Sequence, residues 1–275
     1  MSPPRGSHGQ AGAPEPLATM QPKRSRSCGR RALPRLLAGA ALALAVGACS
    51  AAPGPAVAQE PAPPGLAAQR FPKPARPVAG IVSDQWSDED GRERVGEAAK
   101  VMDLLGVRPG MAVADIGAGA GYYVVRLSAR VGAEGRVVAE DIERPYLDRL
   151  RGRVARERLS NVSLVLGEPH DPRLPPRSVD VALLVHMYHE IAQPFGLLAN
   201  LVPALRPGGR VAIVDQDGPT RSHGTPRALL ACELAAVGYR QVAFDWIEDR
   251  SVYLAVFEPP AAPPEPERIR ACDAR

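Results

Sequence analysis

The strongest constraint on the fold is an alternation that runs from about residue 88 to residue 257. Short apolar segments at 111–116, 136–141, 162–166, 179–185 and 211–214 predict strands, and segments with apolar residues at helical spacing lie between them. Strands that alternate with helices form a mostly parallel sheet through right-handed crossovers. Two last segments, 241–246 and 252–257, predict a hairpin. The pattern therefore predicts an α/β, doubly wound, mostly parallel seven-stranded sheet with helices on both faces and a C-terminal antiparallel hairpin.

Proline content and charge divide the chain further. The 30 prolines of the 275 residues crowd residues 1–77 and 259–266. We expect a leader at 1–49, an Ala/Pro-rich mobile linker at 50–82, a globular domain at 83–259 and a disordered tail at 260–275. Residues 1–49 hold seven of the 34 Lys and Arg and one of the 30 Asp and Glu, which leaves a slightly acidic remainder. No nucleic-acid partner is expected, since such domains present a basic face.

The leader resembles an export signal. Basic residues between Lys23 and Arg35 precede an apolar run at 36–48, which is shorter than the roughly 20 residues of a membrane-spanning helix. Cys49 follows directly in a sequence that resembles a bacterial lipobox, where lipidation would tether the protein to a membrane; an alternative cleavage site ends at Ala58. We expect an exported, periplasmic or membrane-anchored lipoprotein, with a cytoplasmic protein carrying an irregular extension as the alternative.

The remaining cysteines and the histidines show no ligand pattern. Cys232 lies in a predicted helix and Cys272 in the charged tail, so two free thiols and no disulfide are expected. No residues have the spacing of a metal site, and no metal is expected.

A glycine-rich turn follows the first predicted strand. Residues 115–121 read DIGAGAG. Alternate glycines let a tight turn bring backbone N–H groups close to a ligand, and the turn opens a helix whose N-terminus favours polar or anionic groups. Asp141 ends the second predicted strand, where an acid can accept hydrogen bonds from ribose hydroxyls. A nucleotide site is therefore predicted at the carboxyl ends of the strands.

Two classes of nucleotide compete for this turn. The dinucleotide fingerprint of NAD-linked oxidoreductases requires a glycine where the chain has Tyr122. Here the third glycine is Gly121 and Asp115 precedes the set. This pattern resembles motif I of class I methyltransferases that use S-adenosylmethionine (SAM). Segments 135–142, 161–168, 179–190 and 205–211 resemble later motifs of that family in the same order, so the resemblance covers about residues 85–259.

The resemblance implies SAM as the cofactor and assigns residues to it. It places the ribose beside Asp141 and Ile142 and the adenine beside Glu168 and Pro169, whereas Glu140 should point to the opposite side of its strand. The donor loop comprises Asp115, Gly117, Ala118, Gly119 and Gly121.

The segment after the fourth strand faces donor and acceptor in the family that this chain resembles. Methyl transfer needs positioning and sometimes a base, and histidine titrates near neutral pH. We therefore predict His186 and His189 as candidate bases, with His186 also near the donor, and Tyr188 as a hydroxyl that orients the acceptor. Alternatively, His189 and Glu190 cap or pack under the next helix. Residues 83–94 precede the domain and, in similar proteins, can fold over the donor.

These residues predict an enzyme that transfers a methyl group from SAM to a small-molecule or lipid-like acceptor. Export conflicts with this function, because SAM is made in the cytosol. A non-catalytic ligand-binding lipoprotein on the same scaffold is the alternative.

Overall fold

Seven strands form one sheet in the computed structural model, which describes residues 59–81 and 88–273. The export signal, Cys49 and Trp86 lie outside the described residues. The order across the sheet is β3-β2-β1-β4-β5-β7-β6, with β1 to β5 parallel and β7 antiparallel to both neighbours. The strands are β1 Ala112–Ile116, β2 Arg136–Asp141, β3 Val162–Leu166, β4 Val179–Val185, β5 Leu205–Gln216, β6 Arg240–Glu248 and β7 Val252–Glu258. This arrangement confirms the predicted fold class.

Helices cover both faces of the sheet. The helices are α1 Glu89–Arg94, α2 Glu97–Leu104, α3 Tyr122–Val131, α4 Arg144–Arg156, α5 Pro194–Leu201 and α6 Arg227–Ala236. Helices α2, α3 and α4 share one apolar core with residues such as Val113, whereas α5 and α6 share a second core with Ala114 and Ile116. Successive residues of β1 thus pack on opposite faces, as the pleat of a strand requires. In the described ranges, no helix is long and apolar enough to cross a bilayer.

The strand order determines where a ligand site can form. The chain runs outward through β1, β2 and β3, and then returns to place β4 on the other side of β1. The loops that leave β1 and β4 therefore diverge and open a crevice at the carboxyl ends of the strands. Gly117 begins one of these loops and His186 begins the other.

The Ala/Pro-rich segment is extended, but residues 59–81 pack against the domain and do not form a mobile linker. Phe71 is buried in the core with α5. The Arg76 guanidinium is buried and donates to the Glu233 carboxylate at 3.0 Å and to the Tyr188 carbonyl at 3.2 Å. Two anchoring side chains thus fix a segment whose composition alone indicates a spacer.

Residues 260–273 also differ from expectation. Ile269 and Cys272 are buried, and Cys272 forms a disulfide with Cys232 on α6. The prediction of two free thiols is therefore wrong, and the described part of the tail is packed on the domain. The sequence could not show this, because the pairing joins segments 40 residues apart that meet only in the folded chain.

Helix α2 begins at Glu97, directly after a break in the helical backbone. Gly96 adopts a left-handed conformation with φ of 64° and separates α1 from α2, which leaves Val95 exposed. The buried face of α2 therefore contains Glu97 as well as Ala98, Val101 and Met102. The Glu97 carboxylate therefore lies at the edge of the crevice.

Candidate active site

The glycine turn after β1 has the backbone geometry that its sequence predicts. Gly117, Gly119 and Gly121 have φ of 68°, 50° and 85°, in the region that favours glycine. A Cβ atom on Gly117 would lie 2.9 Å from Met187 Cε, which belongs to the loop after β4. The absence of a side chain at Gly117 therefore lets Met187 of the second loop approach the glycine turn closely.

Glu140 and Asp141, at the end of β2, both line one cavity. The backbone N–H groups of Gly119 and Glu143 donate to Asp141 at 2.9 and 2.8 Å. Glu140 lies beside Asp141 on this cavity rather than on the opposite side, because Asp141 is the last residue of β2 and the alternation ends there. Burial raises the pKa of Asp141. Burial and the neighbouring Asp141 charge raise that of Glu140 well above its usual value.

Glu140 is thus a buried carboxyl group whose protonated form is favoured by its surroundings and whose hydrogen-bonding capacity is not fully used. It is 1% exposed, and its Oε1 has no hydrogen-bond partner among the described residues. Buried polar atoms are normally paired, and an exception at a cavity wall points to a ligand. A protonated carboxyl can both donate and accept, which suits the hydroxyls and ring nitrogens of a nucleoside.

We call the space beside these acids the nucleoside cavity; it has a volume of about 810 Å³. Asp141, Ile142, Glu168 and Pro169 all line it, so the four residues assigned to the nucleoside lie together. Glu168 stands at the rim, with 48% of its side chain exposed and an ion pair to Arg173 at 2.7 Å.

A second space, the Asp115 cavity, adjoins the first and has a volume of about 620 Å³. It shares Gly117, Met187 and Glu190 with the nucleoside cavity, and its other charged lining residues include Glu89, Arg92 and Asp115. Burial raises the pKa of Asp115 to about 7; Arg92 opposes this shift, and the Asp141 charge adds to it. This cavity can therefore bind a ligand that carries both a cation and a carboxylate.

His186 lines the Asp115 cavity at the end of β4. Its backbone has φ of 51°, a strained conformation for a residue other than glycine. Its Nε2 lies 3.2 Å from Glu97 Oε2, and Arg92 pairs with the other Glu97 oxygen at 2.6 Å. Burial raises the pKa of Glu97, but His186 and Arg92 outweigh burial and bring the pKa to about 2. An ionised carboxylate therefore holds the imidazole in place.

The sequence did not single out Glu97 or Arg92. For Glu97 a signal existed, since an acid four residues before Val101 occupies the apolar face of a predicted helix. Arg92 offered none, because one arginine in a charged segment is an ordinary surface residue.

The described part of segment 83–94 lies beside the donor loop. The Glu89 carboxylate on α1 pairs with Arg126 on α3 and Arg153 on α4. The Tyr122 hydroxyl, at the start of α3, donates to Glu93 at 2.8 Å. These contacts hold α1 against the helix that follows the glycine turn, where it forms one wall of the Asp115 cavity.

A third space, the α1 cavity, lies on the other side of His186. It has a volume of about 1020 Å³ and shares Arg92 and His186 with the Asp115 cavity. Gln216 at the end of β5 and Val252 at the start of β7 also line it. His186 therefore stands between two connected spaces.

Tyr188 and His189 are not where the sequence analysis expected them. Tyr188 is fully buried in the core, with the Arg76 guanidinium 5.4 Å from its ring centroid. His189 is also fully buried, and its Nδ1 lies 3.0 Å from Asp215 on β5. A short 3-10 helix at Tyr188–Glu190 turns both side chains inward, so neither lines the three cavities. Of the three predicted catalytic residues, His186 alone lines them.

Comparisons with known proteins agree with this geometry. Residues 113–209 match the family described as methyltransferase domain. A ubiquinone/menaquinone biosynthesis C-methyltransferase from Idiomarina loihiensis is 34% identical over 122 residues, which cover 43% of this chain and 47% of that protein. Nocamycin O-methyltransferase from Saccharothrix syringae is 32% identical over 116 residues, which cover 42% of this chain and 41% of that protein.

A solved structure extends the comparison across the described domain. The crystal structure of a SAM dependent methyltransferase from Aquifex aeolicus superposes with a TM-score of 0.59 at 24% identity, covering 64% of this chain and 98% of that chain. The fold is therefore that of class I methyltransferases. The chain spans less than half the length of the two curated relatives, so its activity is a matter for proposal.

Proposed function

We propose that this protein is a SAM-dependent methyltransferase that binds SAM across the nucleoside and Asp115 cavities. The observation that carries the proposal is their junction at Gly117, where an acid-lined cavity suited to adenosine meets a cavity with charges of both signs. SAM has the same division, with a nucleoside at one end and a zwitterionic amino acid at the other. When bound, it supplies an electrophilic methyl group on its sulfonium.

The residues of the two cavities fit this ligand. Asp141 would accept hydrogen bonds from the ribose hydroxyls, since each of its oxygens has a lone pair beyond those used by Gly119 and Glu143. Glu140, whose pKa burial raises well above its usual value, would bring a second carboxyl group beside it. At the other end, Asp115 would face the ammonium group and Arg92 the carboxylate. Each charge on SAM would thereby meet a group of opposite sign.

His186 is the residue we assign to proton transfer. It lines both the Asp115 cavity and the α1 cavity, so it would border both the methyl donor and an acceptor that reaches the methyl group from the α1 cavity. The imidazole can take up a proton from the acceptor, and the ionised Glu97 stabilises the imidazolium that results. Tyr188 and His189 have no part in this step.

The acceptor we propose is a small organic or lipid-like molecule. One relative is named for ubiquinone and menaquinone biosynthesis and another for O-methylation of nocamycin.

We also propose export, with a lipid anchor at Cys49. The apolar run and lipobox-like sequence of the leader support it. The Cys232–Cys272 disulfide supports it independently, because disulfides persist outside the cytosol and are rare within it.

Calorimetric titration of the purified protein with SAM and S-adenosylhomocysteine tests the function. We expect saturable binding that is weakened at least about tenfold by Asp141→Ala, which removes the ribose partner. We expect the same of Gly117→Ala, whose methyl group would meet Met187.

Gly132→Ala is the matched control. Gly132 has φ of 67°, almost the same as the 68° of Gly117, but a Cβ atom there meets nothing within 4 Å. Both substitutions place an alanine at a positive φ, and only one of them alters the cavity. Failure of the folded protein to bind either ligand would contradict the proposal. Binding without turnover across quinone, phenol and carboxylate acceptors would favour the non-catalytic alternative.

A further inference from the structure

Three side chains that the proposed reaction does not use converge beside β5. His189 Nε2 and His223 Nδ1 each lie 3.9 Å from the same oxygen, Glu190 Oε1. The three ligand atoms all lie within 4.8 Å of one another. Two imidazole nitrogens and a carboxylate thus face a common point.

The contacts of Asp215 determine which nitrogen of His189 faces that point. Asp215 accepts hydrogen bonds from the Thr225 hydroxyl at 2.7 Å and from the Gln216 backbone N–H at 2.9 Å. Its carboxylate lies 3.0 and 3.1 Å from His189 Nδ1, so this nitrogen carries the proton and donates. His189 Nε2 is left with its lone pair towards Glu190. A histidine whose other nitrogen donates to a carboxylate is the usual arrangement of a metal ligand.

Both imidazole nitrogens that face Glu190 are buried without a hydrogen bond. Neither His189 Nε2 nor His223 Nδ1 has a hydrogen-bond partner among the described residues. Such atoms are normally paired, and here two of them face one carboxylate. His223 also has φ of 57°, a strained backbone conformation that persists only where the surroundings impose it. One partner bound between His189 and His223 would satisfy both nitrogens.

We propose that His189 Nε2, Glu190 and His223 Nδ1 bind a divalent transition-metal ion of the Zn²⁺ type. Zn²⁺ binds imidazole and carboxylate at about 2.0–2.2 Å in tetrahedral geometry, which places ligand atoms roughly 3–4 Å apart. The two distances of 3.9 Å lie at the upper end of this range and the two nitrogens lie within 4.8 Å of each other, so the site forms when the ligand atoms move closer together around the ion. Two nitrogen ligands disfavour Mg²⁺ and Ca²⁺, which prefer oxygen.

The site would keep one open position and would lie next to the cavities. Three protein ligands leave the fourth position of a tetrahedral ion for water or another molecule. Glu190 also lines the nucleoside and Asp115 cavities, so the ion would sit at their edge. The sequence analysis expected no metal. His223 is distant from His189 and Glu190 in the chain, and the three residues come together only when β5, which lies between them in sequence, is in place.

Titration of the full-length protein with Co²⁺ and Zn²⁺, after removal of metal by chelation, tests the proposal. Co²⁺ replaces Zn²⁺ at such sites and absorbs visible light, so binding is read without any assay of activity. We expect one Co²⁺ per chain. His223→Ala and Glu190→Gln should weaken binding at least about tenfold, and Asp215→Asn about 10–100-fold, because it removes the partner that orients His189.

The matched control is His170→Ala, a histidine outside the cluster, which should titrate like the unaltered protein. His223 is partly exposed, so its substitution is the one least expected to disturb folding, and circular dichroism of each variant confirms the fold. The proposal is overturned if the unaltered protein takes up neither ion, or if folded His223→Ala and Glu190→Gln bind Co²⁺ as it does. Titration of the metal-free protein with SAM reports separately on the proposed function.

Discussion

His186 Nε2 lies 3.2 Å from Glu97 Oε2, and this contact joins the end of β4 to the first turn of α2. Arg92 and the Tyr123 hydroxyl contact the other oxygen of the same carboxylate. With a pKa of about 2, Glu97 stays ionised across the physiological range. It therefore acts on the proposed chemistry as a positioning residue, through the imidazole that it holds.

Glu97→Gln should lower the turnover number for methyl transfer about 10–100-fold, because the imidazolium loses its charged partner. The affinity for SAM should change by less than about threefold, since Glu97 does not line the nucleoside or Asp115 cavity. Steady-state kinetics combined with calorimetry separates the two quantities. Glu97→Asp keeps the charge and should recover part of the rate. A loss of SAM affinity equal to the loss of rate would contradict a positioning role.

The affinity for SAM should rise with pH through about 7. Burial raises the pKa of Asp115 to about 7, so its carboxyl is mostly neutral at pH 6 and mostly ionised at pH 8. Only the ionised form attracts the cationic groups of SAM, and we expect about a tenfold gain between these pH values. The charged groups that act on the pKa of Asp115 are Arg92 on α1 and Asp141 at the end of β2. Titration calorimetry at a series of pH values measures the effect.

Asp115→Asn is the control for that titration. The substitution removes the ionisable group with little change of shape. The affinity of this variant for SAM should therefore not rise between pH 6 and pH 8. The ratio of the two proteins' affinities at each pH isolates the contribution of Asp115. Without ligand, the raised pKa should make the free energy of unfolding fall as the pH rises from about 4 to about 7, because the unfolded chain releases this proton first. Asp115→Asn should reduce that fall too. Identical pH profiles for the two proteins would contradict the assignment.

Arg76→Met should lower the free energy of unfolding by about 3–5 kcal/mol, because it leaves the buried Glu233 carboxylate without its charge partner. The double variant Arg76→Met/Glu233→Met removes both charges and should be more stable than the single variant. Urea denaturation measures both values. A single variant within about 1 kcal/mol of the unaltered protein would show that residues 59–81 add little to stability.

Cys272→Ser should lower the free energy of unfolding by about 2–4 kcal/mol, since the disulfide to Cys232 closes a loop of 40 residues. A reductant should destabilise the unaltered protein by a similar amount and leave Cys272→Ser unchanged. Thermal denaturation with and without reductant makes the comparison. Equal sensitivity of both proteins to the reductant would be evidence against the bond.

Cells that express the full-length protein should incorporate radiolabelled palmitate into it, and Cys49→Ala should abolish the label. The reason is the position of Cys49 directly after the apolar run of the leader. If the intact chain takes no label, or if Cys49→Ala labels equally well, the lipid anchor at Cys49 is wrong.

The sequence by itself determined the seven strands, the mostly parallel class of sheet and the donor loop, because these depend on local patterns. Strands β2, β3 and β4 begin and end at the predicted residues, since each centres on a short apolar run and is bounded by polar or turn residues. The glycine turn is equally local: its left-handed backbone follows from three glycines and needs no distant contact.

Only the tertiary structure decided which polar side chains meet. The pairs His186–Glu97, His189–Asp215 and Cys232–Cys272 each join segments far apart in the chain, and no periodicity reports such a contact. His186 and His189 look equivalent in sequence, yet a single 3-10 turn leaves one at a cavity and buries the other beside β5. Local sequence patterns fix backbone conformation, whereas the chemistry of a side chain depends on neighbours that folding brings together.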